Sequence, residues 1–181
     1  MGSPLPEHYP DLSAPVSDMA PCVGCGLCCD GTMFERVRAE AEEEQRILNS
    51  GLSLDEEKGI RYFPLPCPHS VGGRCGIYEG RFTKCRTFRC KLLKAYHDGK
   101  IDIREAAEKI GNALKLRDAV AAQEPEAFLL TERIRIRRQG NFAKERSKLL
   151  LHMAALDYYL DVHFRNKNPQ IVQAQEGIER T

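Results

Sequence analysis

The chain lacks several features that would assign a function quickly. None of its apolar runs approaches the ~18 residues that span a bilayer, which excludes a membrane-spanning helix. Net charge is nearly absent: 27 Lys and Arg against 26 Asp and Glu give +1. That balance argues against a globally basic nucleic-acid binder and against a globally acidic tail protein. There is no Gly-x4-Gly-Lys-Ser/Thr, His-Glu-x-x-His or Gly-x-Ser-x-Gly motif, so phosphate-loop, metalloprotease and serine-hydrolase chemistry have no foothold. No internal repeat of roughly 20–50 residues is present. The first 21 residues hold five of the ten prolines and no continuous apolar stretch, so they lack the apolar segment of a secretory signal and read as a flexible arm. The expected compartment is a reducing cytoplasm, where thiols stay reduced unless something holds them.

Cysteine is absent from the 91 residues after Cys90, yet eight cysteines lie between Cys22 and Cys90. A chain of 181 residues can bury an adequate core without sulfur crosslinks, so these residues need a chemical explanation. Cys22, Cys25, Cys28 and Cys29 occupy eight consecutive positions. Two-residue spacing lets successive sulfurs turn toward one centre, and Gly24 and Gly26 allow the backbone turns this requires. In an extended backbone Cys28 and Cys29 would point to opposite sides, which favours giving them to different metals. Cys67, Cys75, Cys85 and Cys90 follow at intervals of eight, ten and five. Four plus four suits two tetrahedral zinc sites, or one iron–sulfur cluster with thiols left over. Disulfides are the competing explanation, but triplets so closely spaced make a poor framework and a reducing compartment opposes them.

Charge supports thiolates. Between Cys67 and Lys94 stand seven basic residues, Arg74, Arg81, Lys84, Arg86, Arg89, Lys91 and Lys94, against the single acid Glu79. A tetrathiolate zinc carries a net charge of about −2, and nearby cations would offset it and donate hydrogen bonds to sulfur. His69 and His97 are near enough in sequence to replace a cysteine, but with eight thiols available a supporting or surface role is the better reading. Asp161 and His163 on the last helix make only a weak pair, better explained as a solvated helix end.

CVGCGLCC followed by CPHSVGGRCGIYEGRFTKCRTFRC resembles the CxxCxxCC, or YkgJ-type, cysteine-cluster family, described as zinc- or iron-chelating domains. The resemblance covers about 70 residues, through C-x2-C-G-x-C-C, C-P, C-x-I-Y and C-R-x-F-x-C. It implies that Cys22, Cys25, Cys28, Cys29, Cys67, Cys75, Cys85 and Cys90 are metal ligands, with Ile77, Tyr78, Arg81, Arg86 and Phe88 as motif neighbours. Where the family usually has Arg-Pro after Ile-Tyr, this chain has Arg81-Phe82, so the turn is expected to differ. Some members are flagellin lysine methylases, but those are longer, and no added domain resembling a methyl-donor site is found here.

The expected fold is mainly α with irregular loops, a metal-organised cysteine-rich N-terminal half packed on a C-terminal helical layer. The expected divisions are a Pro-rich arm at 1–21, a cysteine cluster at 22–97, a helical region at 98–165 and a frayed tail at 166–181. A solvated helix is expected from Thr32, with Glu35 as its capping partner, to Gly51. Loops and turns are expected from 61 to 90, and short helical structure from 88 to 97. A helix should open at the Asp102–Glu105 capping box and run to about Gln123. Residues 126–138 are ambiguous, because Arg-Ile-Arg-Ile-Arg alternates like a strand. A long last helix spans about 141–164, with Phe142, Leu149, Leu150, Met153, Leu156, Tyr159 and Leu160 on its apolar face.

Functionally, the sequence points to a metal-binding protein chelating zinc or iron, an iron–sulfur cluster included, through eight thiolates. Its partners are metal ions and not a membrane; no protein partner is indicated. The alternatives are an iron–sulfur redox or methyl-transfer enzyme, and an RNA- or protein-binding adaptor using the basic run Arg133, Arg135, Arg137, Arg138, Lys144, Arg146 and Lys148. Such a run is more often a solvated face.

Overall fold

A computed structural model describes residues 20–140 and 146–166. The arm, save its last two residues, and nearly all of the expected tail lie outside this range, as does Phe142. Among the described residues are six α-helices and five short strands, so the protein is mainly α, with its strands confined to the cysteine-rich half.

The helical half follows from local sequence. Helix α4, Ile103–Ala121, opens where Asp102 Oδ1 accepts the Glu105 N–H at 2.8 Å. This satisfies one of the amides that a helix start leaves without an intrahelical partner. Its inner face carries Ala106, Ile110, Ala113 and Val120, small enough at two positions for close packing on α6, Ser147–His163. On α6, Leu149, Met153, Leu156 and Leu160 recur at helical spacing and are buried. The ambiguous segment is a helix, α5, Leu130–Gln139, ended by Gly140 in the left-handed conformation (φ 63°). Its alternation misleads because Arg133 is an interior residue: with Ile136 it forms the inward i, i+3 pair.

Arg133 has no exposed surface. Its guanidinium donates to Asp157 Oδ2 at 3.2 Å, to the Thr32 carbonyl at 2.6 Å and to the Phe128 carbonyl. Arg137 and Arg165 also bind Asp157. Burial alone would raise the Asp157 pKa, but the three guanidiniums outweigh it and hold the carboxyl below its usual range. This cluster ties the start of the cysteine-rich half to α5 and α6.

The expected helix from Thr32 to Gly51 forms only at its end. Residues Arg36–Arg38 are strand β1, a 3-10 turn spans Ala41–Glu43, and the helix α1 is Glu44–Asn49. Tertiary pairing overrides composition here. Val37 lies opposite Phe63 of β3, Ile60–Pro64, which also pairs with β2, Asp55–Glu57, in the order β1-β3-β2. Thr32 caps nothing: its hydroxyl is buried without a partner, while its N–H bonds Asp30 Oδ1 at 2.8 Å.

The stretch expected to be irregular contains β3 and a small hairpin, β4 Ser70–Val71 with β5 Arg74–Cys75. Two short helices follow, α2 Thr83–Thr87 and α3 Lys91–His97.

Two apolar clusters result. One joins α3 to α6 with Leu27, Met33 and Phe34. The other, smaller, gathers Val37, Ala39, Ile47, Leu52, Phe63 and Phe82 around the sheet.

Candidate metal centre

Between the two clusters lies a cavity of about 320 Å³, and all eight cysteines line it. Residues separated by up to 68 positions are therefore brought to one place. All eight are half-buried free thiols, with no disulfide among them. The remaining wall is largely apolar and includes Leu27, Met33 and Phe34 from the helical cluster and Val37, Phe63 and Phe82 from the sheet cluster.

The first loop turns tightly. The Cys25 N–H bonds the Cys22 carbonyl at 3.2 Å, and the Cys29 and Asp30 N–H groups both reach the Gly26 carbonyl, at 2.7 and 2.9 Å. This turned backbone corrects the extended one expected at Cys28 and Cys29. Their thiols act on each other, raising the pKa of Cys28 and lowering that of Cys29.

The second loop is laid against the first. The Cys67 N–H donates to the Cys29 carbonyl at 2.8 Å, and the Cys67 carbonyl accepts from Ser70 at 2.9 Å. Ser70 then pairs with Cys75 across the hairpin. Where the loops cross, glycine is required. A Cβ on Gly73 would come within 2.5 Å of the Gly24 carbonyl oxygen, and one on Gly26 within 2.8 Å of the Gly73 Cα. Cys85 is carried on α2, while Cys90 precedes α3 and caps it, its sulfur accepting the Leu93 N–H at 3.4 Å.

Burial governs the protonation of these thiols. It pushes Cys22 and Cys85 up to about 12, with Cys90 the next contributor at the first and Cys29 at the second. Burial also raises Cys25, Cys67 and Cys90. Cys28 is raised first by Cys29 and then by burial. Cys29, acted on by Cys28, is lowered. In opposition stand cations: Arg81 stabilises the thiolates of Cys22, Cys29 and Cys85, Arg89 that of Cys22, and Lys94 that of Cys90. Arg81 is fixed by a 2.9 Å bond from Nε to the Tyr78 carbonyl and by stacking 3.8 Å over the Tyr78 ring. Of the seven expected cations, Arg74, Arg81 and Lys84 line the cavity, and Lys84 also pairs with Glu40 at 2.6 Å.

Neither histidine lines the cavity. His69 stands at the start of the hairpin, its carbonyl accepting the Gly76 N–H at 2.8 Å, and its Nε2 is buried without a hydrogen-bond partner. His97 is exposed at the end of α3. Among the described residues no group of three or more His, Cys, Asp or Glu side chains stands already gathered as a metal site. What suits a metal is the chemistry of the donors: eight reduced soft ligands on one cavity, with fixed cations to offset their charge.

Sequence reasoning missed three participants. Gly73 closes the loop crossing, and its only sequence signal is the Gly72-Gly73 pair. Phe164 reaches the cavity wall from the end of α6, and Arg133 anchors the segment after the first loop; neither leaves a local trace. No family model, curated protein or solved structure matches the chain.

Proposed function

We propose that this chain is a cytoplasmic cysteine-cluster protein that chelates zinc or iron through thiolates, in line with its resemblance to the CxxCxxCC family. The observation that carries the reading is the convergence of eight free thiols, from two loops and two helix ends, on one cavity. Nothing in apolar packing needs that convergence, since ordinary aliphatic side chains would fill the space without the desolvation that these thiols suffer. Metal would supply the order that short strands and turns cannot. Because metal binds the thiolate form and burial raises the pKa of most of these thiols, metal binding is expected to release protons.

A second reading, an iron–sulfur enzyme, is favoured by one feature. The cavity is larger than a pair of bare ions would fill and its wall is apolar, which suits a cluster or a small organic substrate beside it. Of the basic run that the adaptor reading uses, Arg133 is wholly buried and Arg137 pairs with Asp157, while Arg135, Arg138, Arg146 and Lys148 are exposed.

The test is anaerobic purification followed by elemental analysis and an absorption spectrum. Stoichiometric zinc without visible absorbance selects a zinc protein; brown protein with matching iron and sulfide selects a cluster. Absence of both metals from anaerobically purified protein, with no uptake on reconstitution, would refute the proposal.

A further inference from the structure

The cysteines do not divide between the two apolar cores as they divide along the sequence. Cys25, Cys28 and Cys90 pack against the helical cluster, whereas Cys67 and Cys85 pack against the sheet cluster. The remaining three sort by their neighbours. Cys22 shares a turn with Cys25, and of the other sulfurs Cys90 acts on it more strongly than Cys29. Cys25 in turn feels Cys22 and Cys90. On the other side, Cys67 feels Cys29 and Cys75, and Cys85 feels Cys29, Cys67 and Cys75. Backbone geometry agrees: the Cys67 N–H is bonded to the Cys29 carbonyl, and Cys75 faces Ser70 three residues beyond Cys67.

We infer that the eight thiols form two interleaved four-thiolate centres, Cys22, Cys25, Cys28 and Cys90 against the helical core, and Cys29, Cys67, Cys75 and Cys85 against the sheet-side core. The inference rests on the metal-binding reading above and deepens it. Each loop gives three ligands to its own centre and one to the other: the first loop lends Cys29 and the second lends Cys90. The centres meet at the Cys28–Cys29 peptide, whose two thiols act on each other electrostatically. Arg81 serves both, since it acts on Cys22 of one and on Cys29 and Cys85 of the other. Interleaving also accounts for the glycine crossing. To exchange ligands the loops must lie in backbone contact, and Gly24, Gly26 and Gly73 allow it.

Paired substitutions separate this arrangement from grouping by sequence order. Zinc and iron per chain are counted in anaerobically purified full-length protein and in three double variants. Interleaving predicts that C22S/C90S and C29S/C67S each keep half the metal of the parent, while C28S/C29S loses nearly all of it. Grouping by sequence order predicts the reverse, near-complete loss in the first two and half retention in the third, and that result overturns the inference. Because a double variant can fail to fold, stepwise removal of metal from the unaltered protein is followed by alkylation mapped by mass spectrometry. Cys22, Cys25, Cys28 and Cys90 should become reactive as one set and Cys29, Cys67, Cys75 and Cys85 as another. Reactivity that appears by loop, or in all eight thiols together, overturns the inference. An unaltered protein that takes up no metal refutes instead the metal-binding reading beneath it.

Discussion

The cysteine-rich half and the helical half are built on different physical terms. In the helical half, α4 and α6 run for 19 and 17 residues and bury continuous apolar faces against each other. In the cysteine-rich half no strand exceeds five residues and no helix before Cys90 exceeds six. Such pieces are too short to be stable alone, because each turn or ladder must offset the entropy of ordering its residues with few hydrogen bonds. One half is held by repetition along the chain. The other depends on contacts between distant segments and, on our proposal, on metal.

Stripping the metal should break this comparison most strongly. A chelator is expected to lower the melting temperature by ~10 °C or more, the effect of several kcal/mol in a protein of this size. Hydrogen exchange should accelerate in β1 to β5 and much less in α4 and α6. Equal acceleration in both halves would show that they do not differ as described.

Next in size is the joint between the halves. Asp157→Asn leaves the buried Arg133 without its counter-charge, and denaturant unfolding should show a loss of about 3–5 kcal/mol. The pH dependence has a definite sign. The folded pKa of Asp157 lies below its unfolded value of about 3.9, so its contribution is complete above that value and is lost as pH falls through the folded pKa. Unfolding measured between about pH 5 and 2 should therefore show an acid-dependent loss that shrinks in the Asn variant.

Gly73→Ala tests the loop crossing. With φ at 75° and a backbone oxygen in the way, it should cost about 1–3 kcal/mol and lower metal content, whereas Gly99→Ala at a similar φ (66°) meets no atoms and should leave metal content unchanged. Smallest is Asp102→Ala, which removes one cap from α4 and should cost about 1 kcal/mol with metal content unaffected.

Legibility divided along the same line. The start of α4 and the face of α6 were readable because a cap and a helical period are local signals. The strand at 36–38 was not, because its cause is Phe63, 26 residues away from Val37. Nor was α5, whose arginine at position 133 turns inward toward a carboxylate 24 residues later. Spacing divided the eight cysteines into two quartets, and the structure puts all eight on one cavity. How they sort was hidden, since a turn at Gly26 and two separate cores decide it. Phe82 has φ −65°, a value that a proline ring would also impose, and its ring lies 5.4 Å from that of Phe63 in the sheet-side core.

The end of α6 sets an order in time. The Lys91 N–H bonds the Phe164 carbonyl and the Asn166 side chain bonds the Arg89 carbonyl, both at 2.9 Å, so Cys90 is clasped on either side by residues from the far end of the described chain. Phe164 is made 74 residues after Cys90, which at ~5–20 residues per second of synthesis is an interval of ~4–15 s. Throughout it all eight thiols are present while Phe164, part of the cavity wall, is not. On our proposal, metal has a window between the emergence of Cys90 and the docking of Phe164, whose ring then completes part of the cavity wall.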